Sequence, residues 1–171
     1  MSGGIMNIST SIAPLIFSIL TLIACLHAFW AMGGKWPGRD DESLAKMVIG
    51  TKGLTKLPKA SLTMVVATLI FIAGLIPLLL GYHQDGANTY MSLFPDSSLS
   101  ILKMMNNLIP HWLLKVSMIG LTLIFLARGM VTYTLWAEKQ NLEEPFRSLD
   151  KKYYAPLCLI LGVGFMVLLL S

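Results

Sequence analysis

The chain has 171 residues, of which 55% are hydrophobic and 13% charged, whereas soluble domains carry about a quarter charged residues. That balance leaves no stretch for a separate soluble domain. The net charge of +4 does not mark nucleic acid, because no basic stripe with interleaved aromatics lies on an exposed segment.

Four long apolar runs follow one another, at 12–32, 60–81, 112–131 and 154–170. Each approaches the ~20 residues with which an α-helix crosses ~30 Å of hydrocarbon. Backbone polar groups have no water to bond there, so the spans are predicted to be helices. Short connections between them favour an all-α, antiparallel up-down bundle. A single transmembrane domain, 1–171, would hold all four spans.

The stretch before the first run has no lysine or arginine, and Gly33-Gly34-Lys35-Trp36 after it offers no small-x-small cleavage site. A retained span is therefore expected rather than a signal peptide. Pro14 is assigned to the first turn, where a missing N–H costs least. Gly33-Gly34 and Pro37-Gly38 end the helix. In the first loop, Ser43 is expected to cap a short amphipathic segment through Leu44, Met47 and Val48. Gly50 and Gly53 interrupt it, and Pro58 precedes the second span.

Pro77 predicts a local kink near the outer end of the second span, and Asp85-Gly86 signals a turn. Asp96, Ser97 and Ser98 are placed to cap a helix over 96–109. Its Leu99, Leu102, Met105, Leu108 and Ile109 recur at helical spacing and would lie on the outer membrane face. Pro110 opens the third span, in which Lys115 and Arg128 can snorkel to opposite surfaces. The third loop mixes Glu138, Glu143, Glu144 and Asp150 with Lys139, Arg147, Lys151 and Lys152. Gly162 and Gly164 permit close helix approach in the fourth span, without the four-residue spacing of G-x-x-x-G.

Lys35, Arg39, Lys46, Lys52, Lys56 and Lys59 occupy the first loop, and Arg128, Lys139, Arg147, Lys151 and Lys152 surround the third. Only Lys103 and Lys115 lie near the second. The positive-inside bias puts loops one and three in the cytoplasm and both termini outside.

The residues that could carry chemistry gather toward that cytoplasmic rim. His27 and Trp30 share a helix face at the end of the first span, followed by Gly33, Gly34 and Trp36. Arg128, Phe146, Asp150, Tyr154, Pro156 and Cys158 lie at the same depth near the other basic loop. A histidine within a span is costly when charged, so His27 is either a neutral imidazole bonded to a neighbouring helix or part of a site. Trp30 and Trp36 are read as interfacial belt residues. Arg128 and Asp150 are expected to pair and lock the third span to the fourth, with substrate binding as the alternative. Cys25 and Cys158 read as inert buried thiols. His83 and His111 fall short of the three or four ligands of a metal site, and eleven scattered methionines read as core filler. No metal or other cofactor is expected. H-E-x-x-H, G-x-S-x-G, the P-loop and G-x-G-x-x-G are all absent from the sequence. No span, as delimited above, contains an acidic residue, which argues against proton-coupled transport.

His27-x-x-Trp30-x-x-Gly33-Gly34 resembles the signature of a bacterial family of small four-span membrane proteins of unknown function. Phe146-Arg147-Ser148-Leu149-Asp150-Lys151-Lys152-Tyr153-Tyr154-Ala155-Pro156-Leu157-Cys158-Leu159 is similar to its second signature, and Arg128 to an arginine that closes its third span. The chain departs after Arg128, where Gly129-Met130-Val131 replaces an expected arginine-x-x-glycine. The resemblance implies a four-span membrane fold and no catalytic assignment.

Three functions remain open on these residues. The first is a non-enzymatic accessory or interaction protein of the inner membrane, with the lipid bilayer and a membrane-protein partner or second copy as its partners. The second is a membrane enzyme or a binder of lipid or a small molecule, its site formed by His27, Trp30, Arg128, Asp150 and Tyr154. The third is an oligomeric pore or carrier, for which Thr63, Thr68, Ser117 and Thr122 draw too short a polar stripe.

Overall fold

The structure is a computed structural model that describes residues 8–85, 96–134 and 142–171. Gly86 of the expected turn, Trp136, Glu138 and Lys139 lie outside the described residues. Seven α-helices follow in order among the described residues: α1 (Ile8–Ala31), α2 (Asp41–Val48), α3 (Ala60–Asp85), α4 (Asp96–Leu108), α5 (His111–Val131), α6 (Phe146–Leu149) and α7 (Ala155–Leu170). A π-helical turn, Asp150–Tyr154, joins α6 to α7 without a break, so Phe146–Leu170 reads as one long helix. That helix, with α1, α3 and α5, gives four helices long and apolar enough to cross a membrane.

The helices pack in two tight pairs. In the first, α1 lies along α3 with its direction reversed: Leu20 and Phe17 touch the Gly74 region, while His27 shares a cleft with Leu62, Thr63 and Val66. In the second, α5 lies along α7. A Cβ on Gly129 would come within 3.0 Å of the Ala155 carbonyl oxygen, so only a hydrogen fits at that crossing. Gly162 is pressed against Leu126 in the same way, which is the close approach anticipated for it. The pairs join through α3 against α5 and α1 against α7. Leu20, Leu79, Leu114, Met118 and Phe165 are buried where the pairs meet, and the rings of Phe125 and Phe165 lie 5.4 Å apart. Helix α4 packs on α3 through Leu102.

Outward faces are bare hydrocarbon. Leu22 on α1, Leu69 on α3, Leu123 and Ile124 on α5, and Ile160 on α7 are each at least 60% exposed. Bands of this kind on four long helices suit a surrounding solvent of lipid, which costs them nothing.

Boundaries differ from the sequence reading at four places, one being the end of α3, which runs past 81 to Asp85. Helix α1 starts at Ile8, so Pro14 lies inside it rather than in its first turn, with the Ser18 hydroxyl donating to the Pro14 carbonyl at 2.9 Å. Asp40, not Ser43, caps α2: its carboxylate accepts the Ser43 N–H at 2.7 Å, and the Ser43 hydroxyl oxygen accepts the Asp40 N–H at 3.0 Å. The two residues thus form a capping box in which Ser43 takes the third helical position. The fourth long helix begins at Phe146 rather than Tyr154. Asp150 therefore lies inside the long apolar helix, four residues ahead of the run at 154–170.

Candidate functional site

Asp150 is only 5% exposed. A buried carboxylate is tolerated when its charge is paired and its oxygens accept hydrogen bonds. Both conditions are met from α5 and its end. Arg128 Nη2 donates to Oδ1 at 2.7 Å, and the Thr132 hydroxyl donates to Oδ2 at 2.7 Å. Arg128 Nη1 also reaches the Thr132 oxygen at 3.0 Å, closing a ring of three side chains. One turn separates Arg128 from Thr132, so both project from one face.

Asp150 also starts the π-helical turn. The Ala155 N–H reaches five residues back to the Asp150 carbonyl, and the wider turn is a departure common where a helix carries function. The Tyr133 hydroxyl donates to the Lys151 carbonyl at 3.0 Å, tying the same turn to the end of α5. Tyr154 closes the turn, and its hydroxyl donates to the Met47 carbonyl at the end of α2 at 3.4 Å.

That last bond belongs to a clasp between the first and third loops. Thr51 and Leu142 form an antiparallel bridge, and the Glu143 N–H donates to the Gly50 carbonyl at 2.8 Å. Gly50 has φ +68°, a left-handed backbone that glycine adopts without strain. Its bare α-carbon faces the buried Phe146 ring, which in turn lies 6.0 Å from the Tyr154 ring. Helix α2 is thereby fixed over the rim, its Leu44 and Ala45 buried.

On its other side α2 borders a cleft of about 180 Å³, lined by His27 and Trp30 of α1, Val48 and Ile49, Leu57 and Pro58 ahead of α3, and Leu62, Thr63 and Val66 at its start. The imidazole Nδ1 lies 2.8 Å from the Ile23 carbonyl oxygen. The His27 and Trp30 rings are 5.0 Å apart. The indole N–H of Trp30 donates to the Trp36 carbonyl at 2.7 Å, which requires the chain to double back after α1. Gly33, at φ +92°, makes that reversal. The H-x-x-W-x-x-G-G segment is thus one local device: a helix end, a reversal, and a ring pinned beside a histidine.

The five residues grouped from sequence fall into two sets. Arg128 and Asp150 are paired, with Tyr154 beside them on the π turn. His27 and Trp30 make no hydrogen bond to these three among the described residues, and the end of α2 lies between the sets, with Met47 bonded to one and Val48 and Ile49 lining the other. Pro156 sits in the first turn of α7. Cys25 is exposed and Cys158 half-buried, both as free thiols. Thr132 was absent from the sequence reading, and Val48 was read only as part of the short amphipathic segment, not as a wall beside His27. The i, i+4 spacing of Arg128 and Thr132 was the available signal for the first, and the apolar end of that segment for the second.

A family model described as "Protein of unknown function (DUF3995)" matches residues 20–165, which take in the His27 cleft, the Arg128–Asp150 pair, all of α3 and α5 and most of the fourth long helix. The chain belongs to the DUF3995 family. That membership agrees with the resemblance to a family of small membrane proteins of unknown function, and carries no activity with it. Neither the curated proteins nor the solved structures contain a match.

Proposed function

We propose that this DUF3995 member is a non-enzymatic accessory protein of a bacterial inner membrane that holds an amphipathic small molecule or lipid in the His27 cleft. In this reading the four long helices form an up-down bundle, both termini lie outside, and the first and third loops face the cytoplasm. The weight of Lys and Arg in those loops supports the orientation. One observation carries the binding role: a histidine lines an otherwise largely apolar cleft beside Leu62 and Val66, whose side chains are exposed at the start of a membrane-length helix. A mostly apolar concavity with one oriented polar group is the usual form of a small-molecule site.

The rim of Arg128, Thr132 and Asp150 supports the non-enzymatic part. Each functional group there is engaged by another, so the carboxylate is committed to the fold rather than poised as an acid or base.

Native mass spectrometry of gently extracted protein tests the reading, on wild type and on Val66→Trp, which fills the cleft from α3. A bound amphiphile present on wild type and lost from the variant is the expected result. An identical spectrum from both, with a co-purifying protein as the only companion, would remove the binding role and leave an interaction subunit.

A further inference from the structure

Among the cleft's side chains, the acceptor most plainly available is the His27 ring. A backbone carbonyl can only accept, so the 2.8 Å contact with the Ile23 oxygen places the imidazole proton on Nδ1 of His27. In the neutral ring, Nε2 then holds a bare lone pair. It makes no hydrogen bond to any described residue. The Thr63 hydroxyl lies 3.5 Å from the Lys59 carbonyl oxygen, a long contact that holds its hydrogen only loosely, and its oxygen is a second acceptor. The Trp30 N–H, the cleft's side-chain N–H donor besides the imidazole, is already spent on Trp36. Every other lining side chain is hydrocarbon.

Resting on the binding reading above, we propose that the ligand is a phenol or similar ring alcohol on an apolar tail, and that His27 Nε2 accepts its hydroxyl hydrogen. A ligand with only carbonyl, ether or ester oxygens would meet lone pair against lone pair. A neutral imidazole whose Nε2 carries a lone pair likewise offers an anionic headgroup no donor. Size agrees with a ring: the cleft is about 180 Å³, and an apolar cavity of ~150 Å³ admits benzene. The tail would leave past the exposed Leu62 and Val66, along the outer face of α3.

The test uses full-length protein in dioleoylphosphatidylcholine nanodiscs with ¹⁵N-labelled histidine. The chain has three histidines, and His27→Phe assigns the signal while keeping a ring of similar size. Without ligand, neutral His27 should show a protonated Nδ1 and an unprotonated Nε2. Two probes are then titrated at matched bilayer mole fraction, 4-nonylphenol and its methyl ether, which differ only in the donor. The phenol should shift Nε2 and bind at least about tenfold tighter than the ether, the scale of one buried hydrogen bond left unmade. In His27→Phe, followed by tryptophan fluorescence, that preference should vanish. Equal affinity for the two probes would keep the cleft and overturn the donor rule. A resting imidazole protonated on Nε2, singly or doubly, would also overturn it. If neither probe moved His27 and Val66→Trp changed nothing, both the cleft and the donor rule would fall.

Discussion

Arg128 and Asp150 lie 22 residues apart in sequence and 2.7 Å apart in space. The pair is unequal: the Arg128 side chain is 42% exposed and that of Asp150 7%. The carboxylate therefore depends on the guanidinium more than the reverse. Arg128→Ala should strand a buried charge and destabilise the protein by about 2 kcal/mol, below the usual 3–5 for breaking a buried pair because solvent reaches this site through the arginine. Asp150→Asn should cost less, and the double variant less than the two single losses added together. Thr132→Val removes one hydrogen bond to a charged group and should cost about 1.5 kcal/mol. Thermal and denaturant unfolding in a fixed detergent give all four values. Additive losses would mean that the two side chains do not act as a pair.

The clasp between the loops should depend on Gly50 in two separable ways. Gly50→Ala would meet both left-handed strain, at φ +68°, and the Phe146 ring. Gly53→Ala would meet the strain alone, since φ is +77° there but the space around it is open. Strain of this kind costs roughly 1–2 kcal/mol. Gly53→Ala should lose about that much, and Gly50→Ala clearly more. Only Gly50→Ala should speed proteolysis near residue 142, because the bond from Glu143 N–H to the Gly50 carbonyl goes with it. Equal losses and equal cleavage would show that Phe146 yields freely.

The long helices were legible because run length in apolar residues is a strong, local signal. The start of the fourth was not. Counting Arg147, Asp150, Lys151 and Lys152 as outside the lipid put the helix start at Tyr154, eight residues after Phe146. What lets the helix continue through Asp150 is charge pairing from Arg128, a relation between helices that no window along one helix contains. Capping failed for a different reason. Asp40 and Ser43 are both good caps, and their three-residue spacing makes them the two halves of one box, so choosing either alone loses half the signal. The rim residues were read as lying at one depth, yet depth does not say which of them touch. The end of α2 separates His27 from Arg128, and its position is set by tertiary contacts: the Gly50 carbonyl, the Met47 carbonyl and the Phe146 ring.

Acid should release α2 before it affects the long helices. Hydrogen bonds from the backbone and side chain of Ser43 hold the Asp40 carboxyl below its ordinary value of 3.8. A carboxyl depressed in the folded state stabilises that state above its unfolded pKa, and the benefit is lost as pH falls through the folded value. Amide exchange protection of α2, corrected for intrinsic rates, should therefore be flat from neutral pH to about 5 and fall below about 4. Asp40→Asn keeps a good cap without the titration and should flatten the profile, whereas Asp40→Ala should lower protection at every pH. A profile in Asp40→Asn that still fell below 4 would assign the change to another group.

The proposed orientation rests on charge alone and can be checked without any assumption about ligand. With Cys25 and Cys158 replaced by alanine, single cysteines are placed at Lys56 in the first loop, Lys103 on α4 and Arg147 on α6, all exposed positions. A membrane-impermeant maleimide is applied to spheroplasts and then to lysed membranes. Lys103→Cys should react in both. Lys56→Cys and Arg147→Cys should react only after lysis, because basic loops are retained on the cytoplasmic side. The clasp adds a constraint that charge does not: Thr51 bridges Leu142, so the first and third loops must lie on one side together. Reaction at Lys56→Cys and Arg147→Cys before lysis, with Lys103→Cys silent, would invert the protein in the membrane and keep the fold. Reaction at only one of those two before lysis would contradict the bridge, and with it the arrangement of helices around the His27 cleft.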